Sequence, residues 1–419
     1  MNPIKNNRNA SKFIWNTIGT MCNAGTSFLL LIFVTRICGD ILAGIFALGF
    51  ANAQLMLSIG RYGMRGYQAT DIKASVKFPT YFLSRIITCI LMLIIGLSYI
   101  IWSGYSLTKA AIVFSICVIK MADALEDVFH GLFQQNGRID LAGKYLTYRN
   151  LITMLSFIII LTVSKDLLVT CIITGILSIA ACICLNIPTA KKMEPIHLKF
   201  YKKELITLFL NCFPLFTGSF LALYINNVPR YTIDRYLTED IQAFFSILFM
   251  PAFVINLFSE FIFKPLLTDI AIKWEQNQMK IFILYIFRLL MGILIITIVV
   301  IAGGYLFGSD LLSFVYGVDL LKYRKELILL LISGGFSACV YLLFYVLTAM
   351  RQQINLLFGY AFTALFITFL SPLLVQKYAM FGASITCFIA SIILFLTFSC
   401  MLAAAMIRKS KQTDKISTV

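Results

Sequence analysis

The feature that most constrains this chain is a series of uncharged apolar runs, each about 20 residues long, that recurs from one end to the other. A run of that length is what one α-helix needs to cross a bilayer. Of the 419 residues, 60% are apolar and only 13% are charged, whereas a soluble domain carries roughly 25% charged residues. Because helices satisfy their own backbone hydrogen bonds in lipid, the runs predict an all-α integral membrane protein.

The runs predict twelve transmembrane helices joined by short connections. The most basic inner connection, PTAKKMEPIHLKFYKKE, separates six spans from the next six. We therefore expect an N-terminal six-helix lobe over residues 1–190, a basic cytoplasmic linker over 191–204, a C-terminal six-helix lobe over 205–407 and a basic cytoplasmic tail over 408–419. The predicted spans cover residues 13–35, 41–60, 80–102, 110–133, 147–164, 167–187, 205–225, 240–263, 281–303, 327–349, 354–374 and 380–407.

The distribution of Lys and Arg predicts the orientation of these spans. With the N-terminus in the cytoplasm, the inner segments hold 23 of these residues, Arg149 among them, and the outer segments hold 9. An excess of Lys and Arg marks the cytoplasmic side, so both termini are expected there. The net charge of +16 then reflects topology and contact with anionic lipid, and nucleic acid is not an expected partner.

A weak internal repeat relates the two halves. At an offset of 199 residues, three positions match their counterparts: Arg36 with Arg235, Phe46 with Phe245 and Phe50 with Phe249. Since each half holds an even number of spans, the second enters the membrane in the same orientation as the first. We therefore expect two lobes related by a pseudo-two-fold axis along the membrane normal, with the binding site between them.

The fourth predicted span carries charge inside an apolar helix. Lys120, Asp123 and Asp127 fall at i, i+3 and i+7 and share one face. An ionisable residue inside a span costs roughly 2.5–3.5 kcal/mol on insertion scales, so this face should line a polar cavity. Two interpretations stay open: a proton- or cation-sensitive transport element, or an internal ion-pair network that only holds helices together. The candidate ion-coupling or gating residues are Lys120, Asp123, Glu126, Asp127, Arg61 and Arg65.

The seventh span brings two arginines to one edge of the membrane. From residue 211 the chain reads NCFPLFTGSFLALYI, then leaves the apolar region through two asparagines and continues into VPRYTIDRYL. A guanidinium matches the geometry of phosphate oxygens, which predicts a basic cavity for a pyrophosphate-bearing substrate. The alternative is that the arginines extend to lipid headgroups and the tyrosines are ordinary interfacial aromatics. The candidate substrate-binding residues are Arg36, Arg230, Arg235, Tyr231, Asn226 and Asn227.

Motifs for catalysis or metal binding are absent from the sequence. The eleven cysteines are scattered through apolar segments and there are only two histidines, so we expect no metal site. Neither a G-x-x-x-x-G-K-[ST] phosphate loop nor a G-x-S-x-G or H-E-x-x-H motif occurs. We therefore expect neither enzyme activity nor a cofactor, and energy from an ion gradient, the membrane potential or mass action.

Five segments give the chain a resemblance to a known family: FIWNTIGTMCNAGTSFLLLIFVTRICGDILAGIF, EDVFHGLFQQNGRIDLAGK, NNVPRYTIDRYL, FGSDLLSFVYGVDLLKY and FGASIT. In their order and spacing, the chain resembles the polysaccharide-repeat (O-antigen) flippases of the multidrug/oligosaccharidyl-lipid/polysaccharide exporter superfamily. The resemblance implies two lobes around a cationic cavity in a bacterial inner membrane. It also implies alternating-access translocation of undecaprenyl-pyrophosphate-linked oligosaccharide, with glycan polymerase and chain-length proteins as partners. Arg36, Arg230 and Arg235 match the cationic cavity by position.

Three other functions stay open. A drug/cation antiporter of the same superfamily would need an acidic cavity, and only the fourth span supplies acidic residues. Lipid II flippases resemble fourteen-span proteins, whereas this sequence predicts twelve. A membrane-embedded glycan polymerase or ligase would carry a large outer loop, and the predicted connections are all short.

Overall fold

The computed structural model describes residues 3–71, 76–195, 201–276 and 278–417. Side chains are described for these residues except 3–13, 257, 258, 260, 261, 264, 265, 267, 268 and 410–417. Residues 196–200 of the expected linker and the last two residues of the expected tail lie outside the described residues.

The described chain is helical, and no strand occurs in it. The α-helices are α1 (Pro3–Cys38), α2 (Asp40–Arg61), α3 (Met64–Thr70), α4 (Phe78–Trp102), α5 (Leu107–Gln135), α6 (Ile139–Ser164), α7 (Leu167–Met193), α8 (Lys202–Tyr236), α9 (Glu239–Glu275), α10 (Met279–Gly303), α11 (Ser309–Tyr316), α12 (Arg324–Ala349) and α13 (Gln353–Ser417). A π-helical turn, Gly304–Gly308, joins α10 to α11, and a 3₁₀ turn, Leu321–Tyr323, precedes α12. The prediction of an all-α fold is confirmed.

Ten stretches of the described chain are long and apolar enough to cross a bilayer. One of them, α13, consists of two helical segments that meet at Ala379, where φ is 50° and ψ is −132°. Helix α5 is not among the ten, and it carries four charged residues between 120 and 127. When α5 is added and the two segments of α13 are counted separately, the expected twelve spans are present. The chain is a multi-pass membrane protein.

Two short helices were not predicted, and one span begins earlier than expected. Helices α3 and α11 have seven and eight residues, too few to show the long apolar run on which the prediction rested. Helix α6 begins at Ile139, eight residues before the expected start at 147. The prediction missed this start because the first two turns of α6 carry polar residues. The first two turns therefore do not look like part of a membrane span in the sequence.

The chain forms two compact units, Met1–Leu223 and Tyr224–Val419, which divide inside α8. The first part of α8 packs against the first unit. Leu208 and Cys212 lie in the same buried cluster as Phe129 and Phe133 of α5. The expected lobe boundaries, the linker between them and the pseudo-two-fold axis stay predictions.

In the first unit, α1 and α6 cross at two glycines. A Cβ atom added to Gly19 would lie 2.6 Å from the carbonyl oxygen of Gly143. A Cβ atom added to Gly143 would collide with the backbone of Trp15 and Asn16. Small residues of this kind let two membrane helices approach until their backbones touch.

We expect Gly143→Ala to destabilise the first unit by about 1–3 kcal/mol, because the added methyl group meets backbone atoms that cannot turn away. The measurement is the thermal unfolding of the purified protein in detergent. Gly25→Ala in α1 is the matched control, since a Cβ atom there has no neighbour within 4 Å. Equal melting temperatures for the two variants would contradict the close crossing.

Candidate functional site

The charged residues of α5 lie in a buried cluster in the first unit. We call this cluster the α5 ion network. All of its members are at most 5% exposed. It consists of Lys120, Asp123, Glu126 and Asp127 from α5, Arg85 from α4 and Arg149 from α6.

Arg149 lies at the centre of one half of the α5 ion network. Its Nη2 is 2.7 Å from Asp123 Oδ1, and its Nε is 2.6 Å from Glu126 Oε2. Its Nη1 also donates to Ser178 Oγ of α7 at 3.3 Å. Lys120 Nζ donates to the second oxygen of Asp123 at 2.9 Å. Asp123 is therefore shared by two cations from two helices.

Asp127 forms the other half. Arg85 Nη2 donates to Asp127 Oδ2 at 2.9 Å, and Arg85 Nη1 donates to the carbonyl oxygen of Gly60. Arg65 of α3 lies on the outside, with its Nη1 3.7 Å from Asp127 Oδ1. The α5 ion network thus contains three carboxylates and three cations, and each carboxylate lies within ion-pair distance of a cation.

This arrangement favours one of the two interpretations of the fourth span. A buried carboxylate with a cation at hydrogen-bond distance is already neutralised, so none of the three is open to an added cation. Removing one partner would leave a buried charge uncompensated, which is strongly destabilising. The geometry therefore supports an ion-pair network that ties α5 to α4 and α6.

The sequence did not reveal the two arginines that complete the network. The prediction placed Arg149 in an inner segment, but Arg149 is 1% exposed and lies inside α6. Arg85 falls within the third predicted span, 80–102, and no partner was predicted for it. The signal that could have found them is charge balance, because three carboxylates in one span need more cations than Lys120.

A small cavity adjoins the network, with a volume of ≈ 20 Å³. Lys120, Asp123, Arg149 and Asn150 line its polar side, and Phe50 is among its apolar neighbours. The Lys120 ammonium lies 4.6 Å from the centroid of the Phe50 ring. A space of this size holds about one water molecule and cannot take a sugar or a phosphate.

The predicted gating residues Arg61 and Arg65 lie at the α2–α3 corner. Arg65 reaches the α5 ion network through Asp127 and also donates to Gln134 Oε1 at 3.4 Å. Arg61 ends α2, and its buried Nε has no hydrogen-bond partner among the described residues. The structure therefore brings Arg65 together with Asp127, and Arg61 forms no ion pair with the residues that the structure describes.

In the second unit, the contacts that Arg230 makes with described residues are all with uncharged groups. Its Nη1 donates to Asn227 Oδ1 at 3.0 Å, one turn earlier in α8. Its guanidinium lies 4.5 Å from the centroid of the Phe249 ring on α9. Asn227 is 5% exposed and Arg230 is partly buried. No carboxylate of the described chain lies within ion-pair distance of Arg230.

The other predicted substrate-binding residues are not part of this contact. Asn226 is exposed, and Arg235 is exposed near the end of α8, with its guanidinium 5.5 Å from the Tyr236 ring. Tyr231 is partly buried, and its ring centroid lies 6.5 Å from that of Tyr224. Arg36 is exposed near the end of α1 and belongs to the first unit. Within the second unit, the structure thus brings together Arg230 and Asn227 from the predicted set.

No family model and no curated protein sequence matches this chain, but solved structures do. An inward-facing multidrug resistance MATE family transporter of the MOP superfamily aligns with a TM-score of 0.67 at 12% identity, over 92% of this chain and 95% of that chain. The lipid II flippase MurJ in an inward closed conformation aligns with a TM-score of 0.64 at 15% identity, over 93% and 89%. A variant of the Vibrio cholerae MATE transporter VcmN aligns with a TM-score of 0.60 at 12% identity, over 96% and 99%. These likenesses show that the chain has the fold of these membrane proteins.

Proposed function

We propose that the protein is a membrane transporter, not an enzyme, that moves an undecaprenyl-pyrophosphate-linked oligosaccharide across a bacterial inner membrane. The repeat unit would serve the synthesis of a surface polysaccharide of the O-antigen or capsule type. The fold supports the transport role, because the similar structures are named as multidrug transporters and a lipid II flippase. The sequence resemblance supports the lipid-linked glycan as cargo and alternating access as the mechanism.

The observation that carries the substrate class is Arg230. A guanidinium that is partly removed from water and has no carboxylate partner keeps its full charge for an anion. Its planar fork matches the oxygens of a phosphate group better than a lysine ammonium does. A diphosphate supplies several such oxygens, and we propose that Arg36 and Arg235 also contribute positive charge to substrate binding.

A drug/cation antiporter is less well supported by the same geometry. Binding a cationic drug calls for an acidic group that is not already neutralised, and the three carboxylates of the α5 ion network are each paired with a cation. A lipid II flippase is favoured by the likeness to MurJ, but lipid II flippases resemble fourteen-span proteins. Twelve spans fit the O-antigen class.

Partners follow from the proposed cargo. The basic inner segments would contact anionic lipid, and a glycan polymerase with its chain-length protein would receive the translocated repeat unit. The proposal places both termini in the cytoplasm and requires no cofactor.

The experiment that tests the function is complementation. We expect the chain, expressed in a bacterial host that lacks its own O-antigen flippase and makes a compatible repeat unit, to restore surface glycan as seen on a lipopolysaccharide gel. The host's own flippase is the positive control. Membrane-inserted protein that restores no glycan in hosts with several different repeat units, or that instead confers drug resistance, would overturn the proposal.

A further inference from the structure

The repeat-related phenylalanines each lie under a cation, but the two cations differ in their surroundings. In the first unit, Phe50 of α2 lies under Lys120 at 4.6 Å. In the second unit, Phe249 of α9 lies under Arg230 at 4.5 Å. Phe46 and Phe245, one turn earlier, pack against these rings with centroids 6.0 and 6.2 Å apart. The offset of 199 residues thus relates the two rings, while the cations over them come from helices that the offset does not match, α5 and α8.

The group that hydrogen-bonds to the cation is what differs. Lys120 donates to the carboxylate of Asp123 at 2.9 Å, so its charge is neutralised. Arg230 donates to the carboxamide of Asn227 at 3.0 Å. Asparagine and aspartate have nearly the same shape, and each offers an oxygen to the donor, but only aspartate brings a negative charge. The first contact is therefore closed to anions and the second remains open to them.

The geometry around Arg230 also leaves most of its donors available. A guanidinium has five N–H groups, and the described structure uses one of them, at Nη1, for Asn227. The ring of Phe249 lies 4.5 Å from the guanidinium carbon, and the attraction between the cation and the ring limits the movement of the side chain. The N–H groups on the remaining edge of the fork can donate to two oxygens of a phosphate in a bidentate manner.

We infer that Asn227 and Phe249 are positioning residues that hold Arg230 in an uncharged setting, and that the amide of Asn227 determines the specificity of this site for a diphosphate. The inference rests on the proposed function and adds two points to it. Asn227 acts on the substrate through Arg230. Because the amide of Asn227 is neutral, the positive charge of Arg230 stays available to the diphosphate. An acidic residue at position 227 would convert the contact into the closed form seen at Lys120 and Asp123.

The test uses the full-length protein in lipid nanodiscs and geranylgeranyl diphosphate as the probe, with geranylgeranyl monophosphate for comparison. For Asn227→Asp we expect at least tenfold weaker diphosphate binding, a loss of ~1.4 kcal/mol, with an unchanged or higher melting temperature. A purely structural role for Asn227 predicts normal binding, because aspartate keeps the acceptor for Arg230. Normal binding by Asn227→Asp would therefore overturn the inference.

The ring is tested by a second pair of variants. We expect Phe249→Leu to weaken diphosphate binding about fivefold and Phe249→Tyr, which keeps the ring, to restore it to within about twofold. Phe50→Leu is the matched control in the first unit and should leave binding unchanged. Equal binding by Phe249→Leu and the wild type would show that Phe249 does not position Arg230 for the diphosphate.

Arg230→Ala distinguishes a failure of the proposed function from a failure of the positioning role of Asn227 and Phe249. We expect it to bind the diphosphate no more tightly than Asn227→Asp, and Asn227→Asp to add nothing to it in the double variant. If Arg230→Ala binds the diphosphate normally, the proposed function fails. If Arg230→Ala loses binding while Asn227→Asp and Phe249→Leu do not, only the positioning inference fails.

Discussion

Arg149→Met is expected to destabilise the first unit by about 3–5 kcal/mol and to leave little folded protein in the membrane. The substitution keeps the side-chain length but removes the cation that lies 2.7 Å from Asp123 and 2.6 Å from Glu126. Both carboxylates are at most 4% exposed, so bulk water does not reach them, and the single water molecule that the neighbouring cavity can hold would not neutralise them. Among the described residues, Lys120 is paired with Asp123, and Glu126 keeps only the imidazole of His130 at 3.5 Å and the amide of Asn186 at 3.4 Å.

The measurement is the folded yield and the melting temperature in detergent, and α6 itself provides the control. Arg138 precedes the first turn of α6 and pairs with Asp140 at 3.0 Å, but its side chain is 37% exposed. A solvent-exposed ion pair contributes only about 0–1 kcal/mol, so Arg138→Met should fold like the wild type. Similar folded yields for Arg149→Met and Arg138→Met would show that the α5 ion network does not hold the helices together.

Arg230→Ala is expected to have the opposite profile, with normal folding and strongly reduced transport. Removing this guanidinium leaves no buried carboxylate unpaired, because its contacts are the amide of Asn227 and the ring of Phe249. A charged hydrogen bond to the substrate contributes about 1.5–3 kcal/mol, so glycan export should fall roughly 10- to 150-fold. The measurement is surface glycan in the complemented host, normalised to the amount of folded protein.

Arg324 supplies a matched control in the same unit. Its guanidinium lies 5.6 Å from the Tyr305 ring, much as Arg230 lies on Phe249, but Asp310 is 3.6 Å away. We expect Arg324→Ala to export glycan like the wild type. Normal export by Arg230→Ala would contradict the phosphate role. Equal losses in Arg230→Ala and Arg324→Ala would show that export depends on the positive charge of this unit in general and not on Arg230 in particular.

The architecture was predictable because the apolar runs are long and are interrupted by charged connections. Each of the twelve predicted spans corresponds to a helical segment of the described chain. The unpredicted parts are those whose position depends on packing. Helix α3 is too short to give a periodic pattern, and the first part of α8 belongs to the first unit through the contacts of Leu208 and Cys212 with α5.

The candidate site was predictable only within single helices. The pairing of Lys120 with Asp123 and the contact of Arg230 with Asn227 both join residues three apart, which one helical turn brings together. Arg149 and Phe249 come from other helices, and spacing along one helix carries no information about them. The repeat did match Phe50 with Phe249, but it did not show that each ring lies under a cation.

The most direct test of the central claim is a flipping assay in proteoliposomes with a fluorescent undecaprenyl-pyrophosphate-linked oligosaccharide. We predict that the wild-type protein makes the outer-leaflet lipid accessible from the other side, and that Arg230→Ala and Asn227→Asp do so at least tenfold more slowly, although both are folded. Translocation by Arg230→Ala at the wild-type rate would contradict the account, as would a wild-type rate no higher than that of protein-free liposomes.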